Sequence, residues 1–494
     1  MLDLIKSLLL LFNFIIFVNA ATLYTFSRPI HMQMSVSQLQ NIFGVDSYEK
    51  VPEYEVVILR STKEGALYNE VKSFNLTVFG RDIALRLEPN TFVNDRLGSM
   101  KVYKANINDN DLQFIEVVHQ YFPWEKSFQI YEDVAKLASV SIQSGEDEEM
   151  QMEGSIGDLI IKPVPTGLVI DENVSVVEVL LGDANHTQRT KVNDSSTTEF
   201  STSKGSAHLI YKGQILKPDT DVLVDGQDVH YEMNKTIDEL SGKSRREVSV
   251  VYPEVLFLLA DDIYDSFGGN TRKVIKRYTN FMNEVNMRFQ PLSNPRVVLS
   301  LVGIVAAQQI RQTIDFRNYS PIPKGNGTVQ NGRAVLVDFF HHLYKKPNFP
   351  PFDIALIITK HNVCSKPLFQ PCGNRRLSIT TRPGTACRKE ELFQLRFGIV
   401  IVKDYGGFHS INAAVHEIGH LLGAHHDGGH RGKDCPAEGK YIMNPALSFT
   451  NQWSPCSIRQ IRRYLKSSEA SCLYNVPRIS RTSYDAMNAT NFPN

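Results

Sequence analysis

Cysteine is missing from the first 363 residues of this 494-residue sequence; all six, Cys364, Cys372, Cys387, Cys435, Cys456 and Cys472, lie in the C-terminal half. The N-terminal half therefore works without a thiolate or a disulfide. Net charge is also missing, since 53 Lys+Arg balance 53 Asp+Glu. No dense Lys/Arg tract occurs, which gives no reason to expect a nucleic-acid partner. Beyond the first twenty residues no apolar run approaches the ~20 residues needed to span a bilayer, so no membrane anchor is expected.

The zero net charge hides an asymmetry. From Glu247 onward there are 30 Lys+Arg against 18 Asp+Glu, a net +12, and the residues before it carry −12. Two halves of opposite sign favour contact with each other. The length allows two sizeable cores.

The start of the chain reads as a secretory signal peptide, residues 1–20. Lys6 precedes an apolar run from Leu8 to Val18, and Val18-Asn19-Ala20 supplies small residues at a cleavage site. In a secreted chain six cysteines imply three disulfides, with fifteen connectivities open. Eight Asn-x-Ser/Thr sequons fit the same route: Asn75, Asn173, Asn185, Asn193, Asn234, Asn318, Asn326 and Asn488. Lys243-Ser244-Arg245-Arg246 sits at the charge switch, upstream of every cysteine. A basic tetrad ending at Arg246 suits a proprotein convertase, and residues 21–246 would then be a propeptide.

The propeptide reads as β-rich, with strand-like runs at Tyr54 to Leu59, Leu159 to Val164 and Val174 to Leu181. Downstream, apolar β-branched runs at Val248 to Leu259, Arg296 to Val305, Phe352 to Thr359 and Phe397 to Val402 read as strands. Helical spacing covers Thr271 to Phe289, Val329 to Tyr344, the segment around His416, and Ser457 to Lys466. The alternation predicts an α/β domain over 247–475 with a mixed, mostly parallel sheet. Residues 476–494 read as a polar tail.

Residues 416–427 are HEIGHLLGAHHD. On a helix, positions i and i+4 share a face, so His416 and His420 aim at one point where they can share a zinc ion. Glu417 lies one step around, placed for a general base rather than a ligand. Gly423 is free to take φ > 0, ending the helix and returning His426 to the same point. Three ligands and one open position is the arrangement of a catalytic zinc. The full spacing arises by chance on the order of once in 10⁴ to 10⁵ such chains. His425 and His430 read as rim residues.

This stretch resembles the long zinc signature of the metzincins, and Asp427 after the third histidine resembles the adamalysin or reprolysin branch. The resemblance covers about 247–475. It implies that Met443, in Tyr441-Ile442-Met443-Asn444-Pro445, forms the methionine turn beneath the zinc. It implies disulfides Cys387–Cys472 and Cys435–Cys456, leaving Cys364 with Cys372. It also implies a calcium site, in addition to the zinc, at Glu254, Asp353, Cys472 and Asn475. Substrate is expected to lie along an edge strand around Phe397 to Val402, with a pocket walled by Pro445 to Phe449. No disintegrin or cysteine-rich module follows, which is similar to single-domain arthropod venom forms. The expected protein is a secreted, monomeric zinc endopeptidase acting on extracellular proteins, with its own propeptide as inhibitor. An endogenous matrix or signalling protease, and an inactive binding toxin, are the alternatives. Many relatives silence the zinc with a propeptide cysteine, and this propeptide has none.

Overall fold

Period-two alternation dominates the N-terminal half and continuous apolar runs dominate the C-terminal half, and the two patterns build different sheets. The computed structural model describes residues 28–61, 70–97, 100–108, 111–116, 128–144, 149–170, 174–181, 205–212, 249–307, 322–324, 327–331, 351–360, 362–364, 378–380, 382–392, 395–404, 410–429, 434–436, 441–445 and 452–477.

The N-terminal half opens with helix α1 (Val36–Phe43). A capping box between Ser35 and Gln38 starts it, and Gly44 at φ 73° ends it. Then come β1 (Tyr54–Ser61), β2 (Lys72–Val78), β3 (Arg81–Pro89), helix α2 (Thr91–Leu97), β4 (Lys101–Asn108), β5 (Asp111–Glu116), β6 (Gln129–Asp133), β7 (Ala138–Ser144), β8 (Met150–Ile156), β9 (Leu159–Pro163), β10 (Ser175–Leu181) and β11 (Ser206–Lys212). Nine of these strands close into a barrel in the order β1-β10-β2-β3-β6-β7-β8-β9-β11. Alternate residues, such as Phe74, Leu76 and Val78 of β2, fill its core.

The C-terminal half carries β12 (Glu254–Leu259), helix α3 (Asp261–Ser266), helix α4 (Thr271–Phe289), β13 (Ser300–Ala307), β14 (Ile354–Thr359), β15 (Ser378–Thr380), β16 (Ile399–Lys403), helix α5 (Ile411–Leu421) and helix α6 (Pro455–Leu465). The sheet order is β15-β16-β14-β12-β13-β4-β5. Its inner pairs are parallel, and only the pairs at its two ends, β15 with β16 and β4 with β5, are antiparallel. β12, β14 and β16 are buried at every position, as strands covered on both faces must be. The strand β4 comes from the N-terminal half, so this sheet is shared between the halves.

Three expectations change. The run from Val248 to Leu259 is split at Pro253, which has no N–H for a ladder: Val250–Val251 pairs with Arg296–Val297, and β12 begins at Glu254. The run from Arg296 to Val305 breaks likewise, at Val298 and Leu299. The helix expected from Val329 is a strand at its start. Gly327–Asn331 pairs with Ile322–Lys324, and Lys324 opposite Gly327 leaves Gly325-Asn326 between the strands, a two-residue hairpin signal in the sequence that outweighs the apolar spacing. Residues 332–344 lie outside the described residues.

Helix α4 spans the residues its spacing predicts, capped by the Asn270 side chain on the Lys273 amide. Fourteen of its 19 residues are buried, so it has no solvent face. Tyr278 and Phe281 pack on Phe257 of β12. The opposite side carries Asn280 and Asn283 against β7 and β8 of the barrel.

Cys387 is joined to Cys472 and Cys435 to Cys456. Cys372 lies outside the described residues, as do residues 1–20, Arg246, and Asn173, Asn185, Asn193, Asn234, Asn318, Asn326 and Asn488. Asn75 is exposed on β2.

Gly154 of β8 lies at a close approach of the barrel to α4. A Cβ there would sit 2.1 Å from the Ser139 carbonyl and 2.8 Å from Asn280 Nδ2. Gly154→Ala is expected to destabilise the chain by about 1–3 kcal/mol or more, because backbone has to move. Chemical denaturation of both proteins checks this, and an unchanged midpoint would remove the close approach.

Candidate metal centre

Helix α5 presents His416 and His420 on one side, as the four-residue spacing requires. The helix ends because Gly423 takes φ 102°, with its amide donating to the His420 carbonyl. Any Cβ at Gly423 would stand 2.7 Å from Tyr464 Cβ of α6. The reversed chain brings His426 back over the helix. His426 Nε2 lies 3.1 Å from Nε2 of both His416 and His420. A tetrahedral centre with Zn–N of 2.0–2.1 Å places its ligand nitrogens about 3.3 Å apart, so this donor set fits zinc.

The other ring nitrogens face backbone carbonyls. His416 Nδ1 is 2.7 Å from the Ile442 carbonyl, and His420 Nδ1 is 2.7 Å from that of Ala424. Donation through Nδ1–H leaves each Nε2 with a lone pair aimed inward, as a metal ligand needs. Burial holds both imidazoles neutral: His416 is lowered to about 3, with His426 adding to the effect, and His420 falls well below the ordinary histidine value. Glu417 is buried beside them. His425 turns away, and its amide donates to Gln460 of α6. His430 lies outside the described residues.

Met443 is fully buried beneath α5. A Cβ at Gly419 would be 2.9 Å from the Met443 sulfur and 3.0 Å from the Trp453 ring, so the helix rests directly on both. The Asp427 amide donates to the Met443 carbonyl, and Asp427 Oδ1 accepts from Ser454 Oγ at 2.6 Å. Ser454 in turn caps α6 through the Ser457 amide. The Asp427 carboxyl is raised, chiefly by burial. Trp453 Nε1 donates to the Arg288 carbonyl at the end of α4, and Arg288 Nε donates to Asn412 of α5. Sequence reasoning missed Gly419, Trp453, Ser454 and Arg288. The small residue inside HEIGH was the one legible sign of close helix contact.

The strand expected at the substrate edge is not an edge. β16 lies between β14 and β15, and its IVIVK is buried throughout. Among the described residues the edge is β15, a Ser-Ile-Thr strand antiparallel to β16. An all-apolar run marks an inner strand, while three half-polar residues give almost no periodic signal. Of the wall Pro445 to Phe449, only Pro445 is described.

Glu254, Asp353 and Asn475 converge at the far end of the sheet. The Glu254 amide donates to Asp353 Oδ2 at 2.9 Å, and Asn475 Nδ2 donates to Glu254 Oε2 at 2.9 Å. Burial raises both carboxyls, Asp353 to about 7. The disulfide of Cys472 anchors the turn that carries Asn475.

The Asp427–Ser454 bond gives a direct test of how the methionine turn is held. Asp427→Ala is expected to cost about 1–3 kcal/mol by removing the carboxyl acceptor of the buried Ser454 hydroxyl, which then keeps only its bonds with Ser457. The double variant with Ser454→Ala should lose less than the sum of the singles. Additive losses in a denaturation cycle would mean that the bond does not hold the turn.

The reprolysin-like pattern of metallopeptidase family M12B matches residues 338–467. A Bombyx mori protein, "A disintegrin and metalloproteinase with thrombospondin motifs like", is 27% identical over 82% of this chain and 62% of its own length. Venom metalloproteinase 3 of Eulophus pennicornis is 24% identical over 52% of this chain and 58% of its own. Venom metalloproteinase 1 of the same wasp is 23% identical over 44% and 47%. The chain thus spans less than two thirds of each relative. The chain carries a reprolysin-like M12B metallopeptidase domain, homologous to the Bombyx ADAMTS-like protein and the Eulophus venom metalloproteinases.

Proposed function

We propose that this protein is a zinc-dependent endopeptidase, secreted as a zymogen and acting on extracellular proteins. The observation that carries the reading is the convergence of His416, His420 and His426 through Nε2, with Glu417 buried alongside. Zinc, when bound, supplies a Lewis acid that activates water and polarises the scissile carbonyl. Glu417 accepts the proton of the attacking water and delivers it to the leaving amine. The carbonyls of Ile442 and Ala424 fix the ring orientation of the two helical histidines. An extended substrate adds to the sheet at β15, through main-chain hydrogen bonds.

The venom reading rests on likeness to the Eulophus proteins, and the Bombyx relative supports an endogenous extracellular protease instead. The tissue that expresses the chain separates them. Among the described residues no helix is long and apolar enough to cross a membrane. Glu254, Asp353, Asn475 and the Cys472 carbonyl would hold calcium as a stabilising ion, since two buried carboxyls side by side favour a cation. Residues 1–20 are the signal peptide, 21–246 the propeptide, 247–475 the protease and 476–494 a tail.

Glu417→Gln is expected to retain zinc and to lose peptide hydrolysis by at least about 10²-fold, because the ligands survive while the base is removed. Metal analysis and a casein or gelatin assay with a chelator control measure both. Bound zinc with wild-type turnover would overturn the role of Glu417.

Processing at Arg246 places the mature N-terminus at Glu247. N-terminal sequencing of the secreted active enzyme tests it, and a start more than a few residues away would refute the site.

A further inference from the structure

The two halves do not meet as a protease and a plug. Their apolar residues form one continuous cluster, in which Phe43, Leu97, Val102, Phe128, Ile130 and Tyr211 of the N-terminal half join the core around Phe257 and Tyr278. The sheet continues across the boundary as well. Gly303 to Ala307 of β13 pair in parallel with Lys101 to Ala105 of β4. Removing the N-terminal half would bare this apolar strand edge, a template for unwanted pairing.

Helix α4 carries the third part of the junction. Asn283 Oδ1 accepts from Asn90 at 2.8 Å, Asn280 Oδ1 accepts from Ser139 Oγ at 2.8 Å, and Asn280 Nδ2 donates to the Glu153 carbonyl at 2.9 Å. Lys276 pairs with Glu153 at 2.9 Å, with both side chains at least four-fifths buried. A helix polar on its outer side and buried there is complete only with the barrel in place. The polar contacts fall on α4 and the strand pairing on β13, while the apolar cluster reaches Phe257 of β12.

We propose that residues 28–212 remain bound to the protease domain after the chain is cut at Arg246, as a lasting non-covalent subunit docked on α4 and the β13 edge. The reading of Arg246 as a processing site supplies the cut, but the docking surface does not depend on it. The acidic and basic halves attract, yet the holding contacts are buried apolar groups, a strand ladder and desolvated polar pairs. Salt screens such contacts far less than it screens exposed charge. This half therefore acts as a structural partner of α4, whose last turn in turn supports the metal helix through Arg288 and Asn412.

The test uses the full chain with Lys243 to Arg246 replaced by the recognition sequence of a site-specific viral protease, so that cutting is under control. After cutting, both fragments should co-elute on gel filtration at about 1 µM chain and about 1 M NaCl, identified by mass. Separate elution at low and high salt, or association at low salt alone, would overturn the proposal. Lys276→Glu, which sets a second carboxylate against Glu153, should weaken the association by about tenfold or more while circular dichroism stays that of the parent. Unaltered association of that variant would displace the docking site from α4. Neither readout uses catalysis, so failure here is separate from failure of the peptidase assignment.

Discussion

A helix with no solvent face has to place every polar side chain it carries, and α4 is the constraint on which the two halves depend. Its apolar side, with Tyr278 and Phe281, fixes it on the sheet through Phe257. Its polar side fixes the barrel through Asn280, Asn283 and Lys276. Its last turn fixes the metal helix through Arg288, whose carbonyl holds Trp453 and whose guanidinium holds Asn412. The buried Glu284 sits one turn before Arg288, and burial raises its carboxyl to about 7. An unpaired charge at that depth would cost several kcal/mol, so Arg288 and Glu284 stay together.

The metal centre follows from backbone geometry more than from the histidines themselves. Two carbonyls, those of Ile442 and Ala424, orient the imidazoles. Ala424 offers its carbonyl because the helix ends at Gly423, and Ile442 because it lies in the non-helical turn of Met443. Asp427 ties that turn to α6, and Gly419 lets α5 descend onto it. The motif thus encodes its own supports, since Gly419, Gly423 and Asp427 interleave with the ligands in one twelve-residue stretch.

That interleaving explains what the sequence makes legible. The spacing of His416, His420 and His426 is local, so helix periodicity and one glycine suffice to bring them together. Thr271–Phe289 and the barrel strands β1, β9 and β10 are legible for the same reason, being long and regularly patterned. Pairing between distant segments is not legible. Nothing in Lys101 to Ala105 announces that it joins a sheet whose strands other than β5 begin some 150 residues later. Nor does Ser378–Thr380 announce an edge, because three residues carry no period. The largely apolar strand β16 misleads in the opposite direction: expected as the edge along which substrate lies, it is a strand with neighbours on both sides. The split at Pro253 was readable from the missing N–H, and the strand at Gly327 from the Gly-Asn pair before it; in both, the longer apolar pattern masked a short decisive signal.

The two ends of the shared sheet face different demands. An exposed strand edge is a hazard unless covered or used. At one end β13, apolar and parallel to its neighbours, is covered by β4, with β5 closing the edge beyond it. At the other end β15 is short, contains two hydroxyl residues, and among the described residues pairs on one side only. Short and polar is how an edge avoids adventitious pairing while still offering its N–H and C=O groups to an extended chain. Closing one edge with the chain's own N-terminal half leaves the other as the place where a foreign strand can add, and that edge belongs to the strand packed against the metal helix. In the proposed peptidase a substrate strand added there would lie against the strand that packs on the metal helix, so which edge the fold has already filled decides where such a strand can enter.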